Sequence, residues 1–245
     1  MQSDSKKSSI KLIADSFSSP SKVFEYLSAY PRQWILALIV LVLAVTAMQV
    51  LVVEKIGLKA IVAHRLKQSA AVESLPKEQL DQIIAQQSGT TAKSITYVST
   101  PIALTVAMLL GGLIYLLGAK LVGSETMTVF KALSVFIYSS IPPTLVMVAG
   151  SIIILLLKPS QDIDLSSIDY GLLRADLGLL MPEGTSRPLL ALLGSIGVFQ
   201  IWGWMLAATG LQRLGRISAP AAWIVVLTLG AVGIAFKVLP ALLFG

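Results

Sequence analysis

WILALIVLVLAVTAMQVLVV, residues 34–53, runs for twenty residues without a charged side chain. A helix rises 1.5 Å per residue, so such a run is about 30 Å long, the thickness of a bilayer's hydrocarbon core. Hydrocarbon offers no water to backbone N–H and C=O groups. Each must be satisfied within its own segment, and the segment becomes a helix. Four further apolar runs follow at 102–122, 133–157, 188–211 and 219–244. Together they predict an all-α, polytopic integral membrane protein with five transmembrane helices in a domain spanning 34–245. Outer loops are expected at 54–100 and 158–187.

Composition agrees. Hydrophobic residues make up 55% and charged residues 13%, with a mean hydropathy of +0.81. A soluble domain carries about 25% charged residues. The net charge of +6 is spread over tails and loops, without the aromatic-interleaved basic patch that nucleic acid requires. Cysteine is absent, which excludes disulfides, thiol catalysis and thiolate metal sites. The single histidine, His64, has no second histidine to pair with, and no nucleophile elbow, metal-ligand cluster or phosphate loop is present. Asp162 and Asp164 lack the glycine and closing glutamate of a calcium loop. The expectation is a non-enzyme with no catalytic, cofactor-binding or metal-ligating residues and no nucleic-acid partner.

Residues 1–33 are expected to form a cytoplasmic tail carrying an interfacial amphipathic helix. Ser19-Pro20-Ser21 reads as a helix start, with Pro20 in the first turn. Val23, Phe24 and Leu27 then share one face. The expectation is that this face docks on a membrane surface and that Trp34 anchors the first span at the interface. In the first outer loop, Leu75–Gly89 reads as a short helix. Pro76 suits its first turn, Leu80, Ile83 and Ile84 its apolar stripe, and Gly89 its C-cap.

Orientation follows from loop Lys and Arg. With the N-terminus inside, each side carries nine, so the count alone does not decide. The inner connections are shorter and denser in positive charge, which favours N-terminus in and C-terminus out.

The third run carries the most unusual residues. Pro142 and Pro143 each remove a backbone donor, which predicts either a helix broken there or one that lies shallow and bends at Pro142 to cross. Tyr138 offers a hydroxyl beside the prolines, and Ser139, Ser140 and Thr144 are placed to satisfy the freed carbonyls. Breaks of this kind mark binding or gating sites in transporters. Lys237 is the only charge well inside a predicted span, either snorkelling to the outer interface or buried for function. Gly111-Gly112, Gly194-x-x-Gly197, Gly203-x-x-x-Ala207 and Gly230-x-x-Gly233 let helices approach closely.

Phe130-Lys131-Ala132-Leu133 followed by Tyr138-Ser139-Ser140-Ile141-Pro142 resembles the hallmark of the Yip (Ypt-interacting protein) membrane family, where such a pattern opens the third span. Pro20-x-x-x-Phe24-x-x-Leu27-x-x-x-Pro31 and Leu75-Pro76-Lys77-Glu78-Gln79-Leu80 are similar to the bacterial branch. So is Trp204 followed by a Gly-Leu, Arg-containing connection. The resemblance covers most of residues 20–245. It implies five spans, a cytoplasmic N-terminus and, by analogy with bacterial members, an inner-membrane location. Eukaryotic members bind Rab-type small GTPases in vesicle traffic. Their long cytoplasmic N-terminal region has no counterpart in residues 1–33, so a small-GTPase partner is not carried over. The lipid bilayer, a membrane-protein partner or a second copy of the chain remain as partners. The leading expectation is an interaction or scaffold protein. The alternative is a small transporter with a polar path near the third helix. The residues singled out for binding or gating are Phe130, Lys131, Tyr138, Ser139, Ser140, Pro142, Pro143 and Lys237.

Overall fold

The computed structural model describes residues 7–67, 72, 75–168, 172–182 and 184–244. Regular structure among them is helical, apart from one isolated β-bridge between Asp176 and Gly197. The α-helices are α1 Ser9–Ser18, α2 Pro20–Ala29, α3 Trp34–Ile56, α4 Leu58–Lys67 and α5 Lys77–Ser88. They continue with α6 Thr90–Leu121, α7 Val129–Leu157, α8 Arg187–Leu193, α9 Val198–Gly215 and α10 Ala219–Phe244. Four segments are long and apolar enough to cross a membrane: Pro31–Ile56, Thr90–Leu121, Val129–Leu157 and Ala219–Leu243. Their outward faces are aliphatic. On α6, Ile102, Val106, Leu110, Leu113 and Leu117 are exposed, and on α10 so are Ile224, Leu227 and Phe236. An apolar surface of this extent calls for lipid. The protein is an all-α, multi-pass membrane protein.

The chain forms two compact units. The first comprises Met1–Val42, Leu104–Leu145 and Phe199–Ala231. Its core gathers Leu12 of α1, Phe24 and Leu27 of α2, Leu41 of α3, Tyr138 and Ile141 of α7, and Leu211 of α9. Small residues bring the helices together. A Cβ on Gly111 of α6 would stand 2.2 Å from the Phe136 ring, and one on Gly210 of α9 would stand 2.9 Å from Val135 Cγ1 and 3.0 Å from the Phe24 ring. At the α6–α7 connection Gly123 takes a φ of +87°, a conformation glycine adopts without strain. There Ser124 Oγ donates to the Gly215 carbonyl at 2.5 Å and Thr126 Oγ1 to the Leu214 carbonyl at 3.2 Å. Two carbonyls at the end of α9 thus find donors in the neighbouring loop.

The second unit comprises Leu43–Ala103, Val146–Val198 and Val232–Gly245. Its apolar cluster joins Val52, Val53, Ile61, Leu155 and Ile163. Glu54 receives Lys93 Nζ at 2.7 Å and the Tyr97 hydroxyl at 2.6 Å, tying the end of α3 to the start of α6. Lys55 Nζ donates to the Leu155 carbonyl. Much of the expected 54–100 loop is helical. α5 runs between Pro76 and Gly89 as expected, with Ile84 buried, although Gly89 is extended rather than left-handed. α6 begins at Thr90, twelve residues before its apolar run. A helix needs apolar residues only where lipid surrounds it, and the hydroxyls of Thr96 and Thr100 bond back to the Ala92 and Thr96 carbonyls.

The run 188–211 is divided rather than continuous. α8 stops at Leu193 and α9 starts at Val198. Between them the backbone turns to pair with residues 175–177: Leu177 N–H reaches the Ile196 carbonyl at 3.1 Å and Val198 N–H the Ala175 carbonyl at 2.9 Å. A Cβ on Gly197 would stand 2.8 Å from the Ala175 oxygen, so glycine is what the close approach requires. Gly194 and Gly197 therefore serve a helix break, not the helix packing their spacing suggested.

Candidate functional site

The motif residues of α7 form a ridge. Phe130, Ser134 and Tyr138 recur every fourth position, so they stack on one side of the helix. Each engages one residue of the short 3₁₀ turn Pro31–Gln33 that leads into α3. Ser134 Oγ donates to the Pro31 carbonyl at 2.7 Å. Arg32 places its guanidinium 4.9 Å from the centre of the Phe130 ring. The Tyr138 hydroxyl donates to the Gln33 carbonyl at 3.2 Å. Ser134 and Tyr138 are buried, so these bonds form largely out of water, where an unmatched polar group is costly. Lys131, on the next position of the helix, donates through Nζ to the Thr126 carbonyl at 3.1 Å and braces the α6–α7 connection.

The turn is held from its other side by the N-terminal helices. Ser8 caps α1 by accepting from Lys11 N–H at 3.2 Å. Ser9 Oγ donates to the Gln33 side-chain oxygen at 3.0 Å. The Tyr26 hydroxyl accepts from Lys7 N–H at 2.9 Å and from Gln33 Nε2 at 3.4 Å. Residues 31–33 are thus gripped between α7 and the α1–α2 pair. Sequence reasoning missed Ser134, Gln33, Tyr26 and Ser9. The i, i+4, i+8 spacing of Phe130, Ser134 and Tyr138 was the signal that could have found the first of them.

The structure relocates several expected residues. Val23, Phe24 and Leu27 are at most 1% exposed and pack inside the first unit. The face expected to lie on a membrane surface is occupied by protein. The reason is that α9 offers a glycine there, Gly210, where a Cβ would stand 3.0 Å from the Phe24 ring. Trp34 is half-buried against the same core rather than standing out as an anchor.

The third helix is not broken. α7 is continuous from Val129 to Leu157 with Pro142 and Pro143 inside it, both buried. The Ser139 and Ser140 hydroxyls donate to the Phe136 carbonyl, at 2.9 and 2.8 Å, and not to the Tyr138 and Ser139 carbonyls that the prolines leave. Helix bonds on both sides of the proline pair carry the ladder through. Lys237 belongs to the second unit and lies on an exposed position of α10. Gln200 of α9 is also exposed.

Comparison with curated proteins and with solved structures finds no match. The family model of the Yip1 domain matches residues 14–239, which include the second half of α1, all of α2, the 31–33 turn and the whole α7 ridge. The chain belongs to the Yip1 domain family of membrane proteins.

Proposed function

We propose that this protein is a non-enzymatic membrane interaction or scaffold protein, acting through a protein partner or a second copy of itself. What supports the reading is the use made of the polar groups on α7. Tyr138, Ser139, Ser140 and Ser134 all donate to backbone carbonyls of the protein. A substrate path would leave such groups facing a cavity; a scaffold uses them to fix its own helices. The same reading places the protein in a bacterial inner membrane with its N-terminus cytoplasmic, on the resemblance and the denser basic charge of the short connections.

The test pairs two measurements on the full chain. It is purified from native membranes in mild detergent with quantitative mass spectrometry of what accompanies it, and it is reconstituted into proteoliposomes for flux of ions and small solutes. The reading expects a stoichiometric protein partner or a defined oligomer, weakened by a charge placed on the exposed side of α1 (Ile10→Asp), with flux at the level of empty liposomes. A monomer without partners that carries solute flux abolished by Lys237→Leu would overturn it.

A further inference from the structure

Beside the 31–33 turn, within the first unit, lies an open groove of about 790 Å³. Its wall is made by Ile35, Leu36 and Ile39 on the first turns of α3, which are 53%, 37% and 46% exposed. Its rim carries Lys7 and Arg32, together with Ser8 and Ser9 at the start of α1. Among the described residues no Asp or Glu lines it. The layout is amphipathic in one direction. Two cations and two hydroxyls sit where α3 begins, and bare aliphatic side chains follow as α3 runs on as a membrane-crossing segment. A soluble anion would match the rim alone, and a neutral lipid the wall alone. We propose that the groove is a binding site for an anionic glycerophospholipid, with its phosphate at Lys7 and Arg32 and one acyl chain along Ile35, Leu36 and Ile39.

Arg32 is suited to the task. Its guanidinium carbon lies 4.9 Å from the centre of the Phe130 ring, a cation–π contact that positions the group while its N–H donors lie in its own plane. Planar edge donors match two phosphate oxygens at once. Lys7 is also placed by an aromatic ring, with Nζ 5.6 Å from the centre of Tyr26. Both cations are therefore positioned before any ligand arrives, which lowers the ordering cost of binding. The α1 helix adds its positive end on the same rim, through the backbone beyond Ser8. The site needs the 31–33 turn in place, which links it to the α7 ridge.

The experiment uses the full chain in mild nonionic detergent, read by native mass spectrometry. Dioleoyl-phosphatidylglycerol and dioleoyl-phosphatidylcholine are offered at equal concentration. Two cations at the phosphate should favour the phosphatidylglycerol one-lipid adduct about tenfold. Lys7→Gln combined with Arg32→Gln should abolish that preference, and Lys7→Gln alone, which leaves the Arg32–Phe130 contact intact, should reduce it about threefold. Lys11→Gln combined with Lys22→Gln, two cations that do not line the groove, should leave it unchanged. Inorganic phosphate in excess should leave the adduct in place. Equal adducts of the two lipids would overturn the proposal, as would a preference surviving in the Lys7/Arg32 variant or lost equally in the Lys11/Lys22 control. Displacement by inorganic phosphate alone would overturn the lipid assignment in favour of a soluble anion.

Discussion

Ser134 and Tyr138 are buried serine and tyrosine whose hydroxyls hold the carbonyls of residues 31 and 33. A hydrogen bond between segments inside a membrane protein contributes about 0.6 kcal/mol on average and up to about 1.7. Removing the donor also leaves a buried carbonyl with one partner fewer. Tyr138→Phe and Ser134→Ala are each expected to lower stability by about 0.5–1.5 kcal/mol, measured as the loss of helicity on titration with denaturing detergent. Ser139→Ala should cost less, because its hydroxyl bonds only within its own helix, to Phe136. Equal effects at 134, 138 and 139 would contradict the ridge. At this scale the sequence disclosed which residues were unusual but not what they touched. Tyr138 and Ser139 are neighbours in the chain with comparable polar groups, yet one faces the 31–33 turn and the other its own helix. Only packing separates them.

Among the elements, α2 is held by burial and not by charge. Its Phe24 is 1% exposed, whereas the ion pair from Glu25 to Arg213 of α9, at 2.8 Å, leaves both side chains at least half exposed. Exposed pairs contribute about 0–1 kcal/mol, and a buried Phe→Ala change costs about 3–5 kcal/mol. Phe24→Ala is therefore expected to detach or unfold the N-terminal helices, seen as new proteolytic cleavage between α1 and α3. Glu25→Gln should leave the digestion pattern unchanged; cleavage at the same rate in both variants would contradict this assignment. The elements were legible to different degrees. Pro76 and Gly89 bracketed α5, and the apolar runs gave α3, α7 and α10 to within a few residues. The start of α6 was hidden because Thr90–Thr100 is helical without being apolar. The division of 188–211 was hidden because the spacing of Gly194 and Gly197 read as close helix packing; the pairing of the backbone there with residues 175–177 makes it a break. Pro142 and Pro143 misled in the opposite sense, since a helix can lose two donors and remain a helix when its neighbours hold it.

For the molecule as a whole, the central point is the destination of the N-terminal helices. An amphipathic sequence states that one face avoids water but not whether lipid or protein covers it, because both are apolar. In the structure Leu12, Val23 and Leu27 are at most 1% exposed within the first unit, while Ile10 is 71% exposed. The native chain has no cysteine, so single cysteines can carry spin labels in an otherwise silent background. The decisive measurement is the accessibility of labels at Val23→Cys, Leu27→Cys, Ile10→Cys and Lys22→Cys to oxygen, which enters lipid, and to a water-soluble nickel chelate, in lipid bilayers. The account predicts that labels at 23 and 27 are immobile and shielded from both reagents, and that labels at 10 and 22 are mobile and reached by at least one. Free access of oxygen to 23 and 27 would place that face in lipid and contradict the docking of these helices onto their own protein.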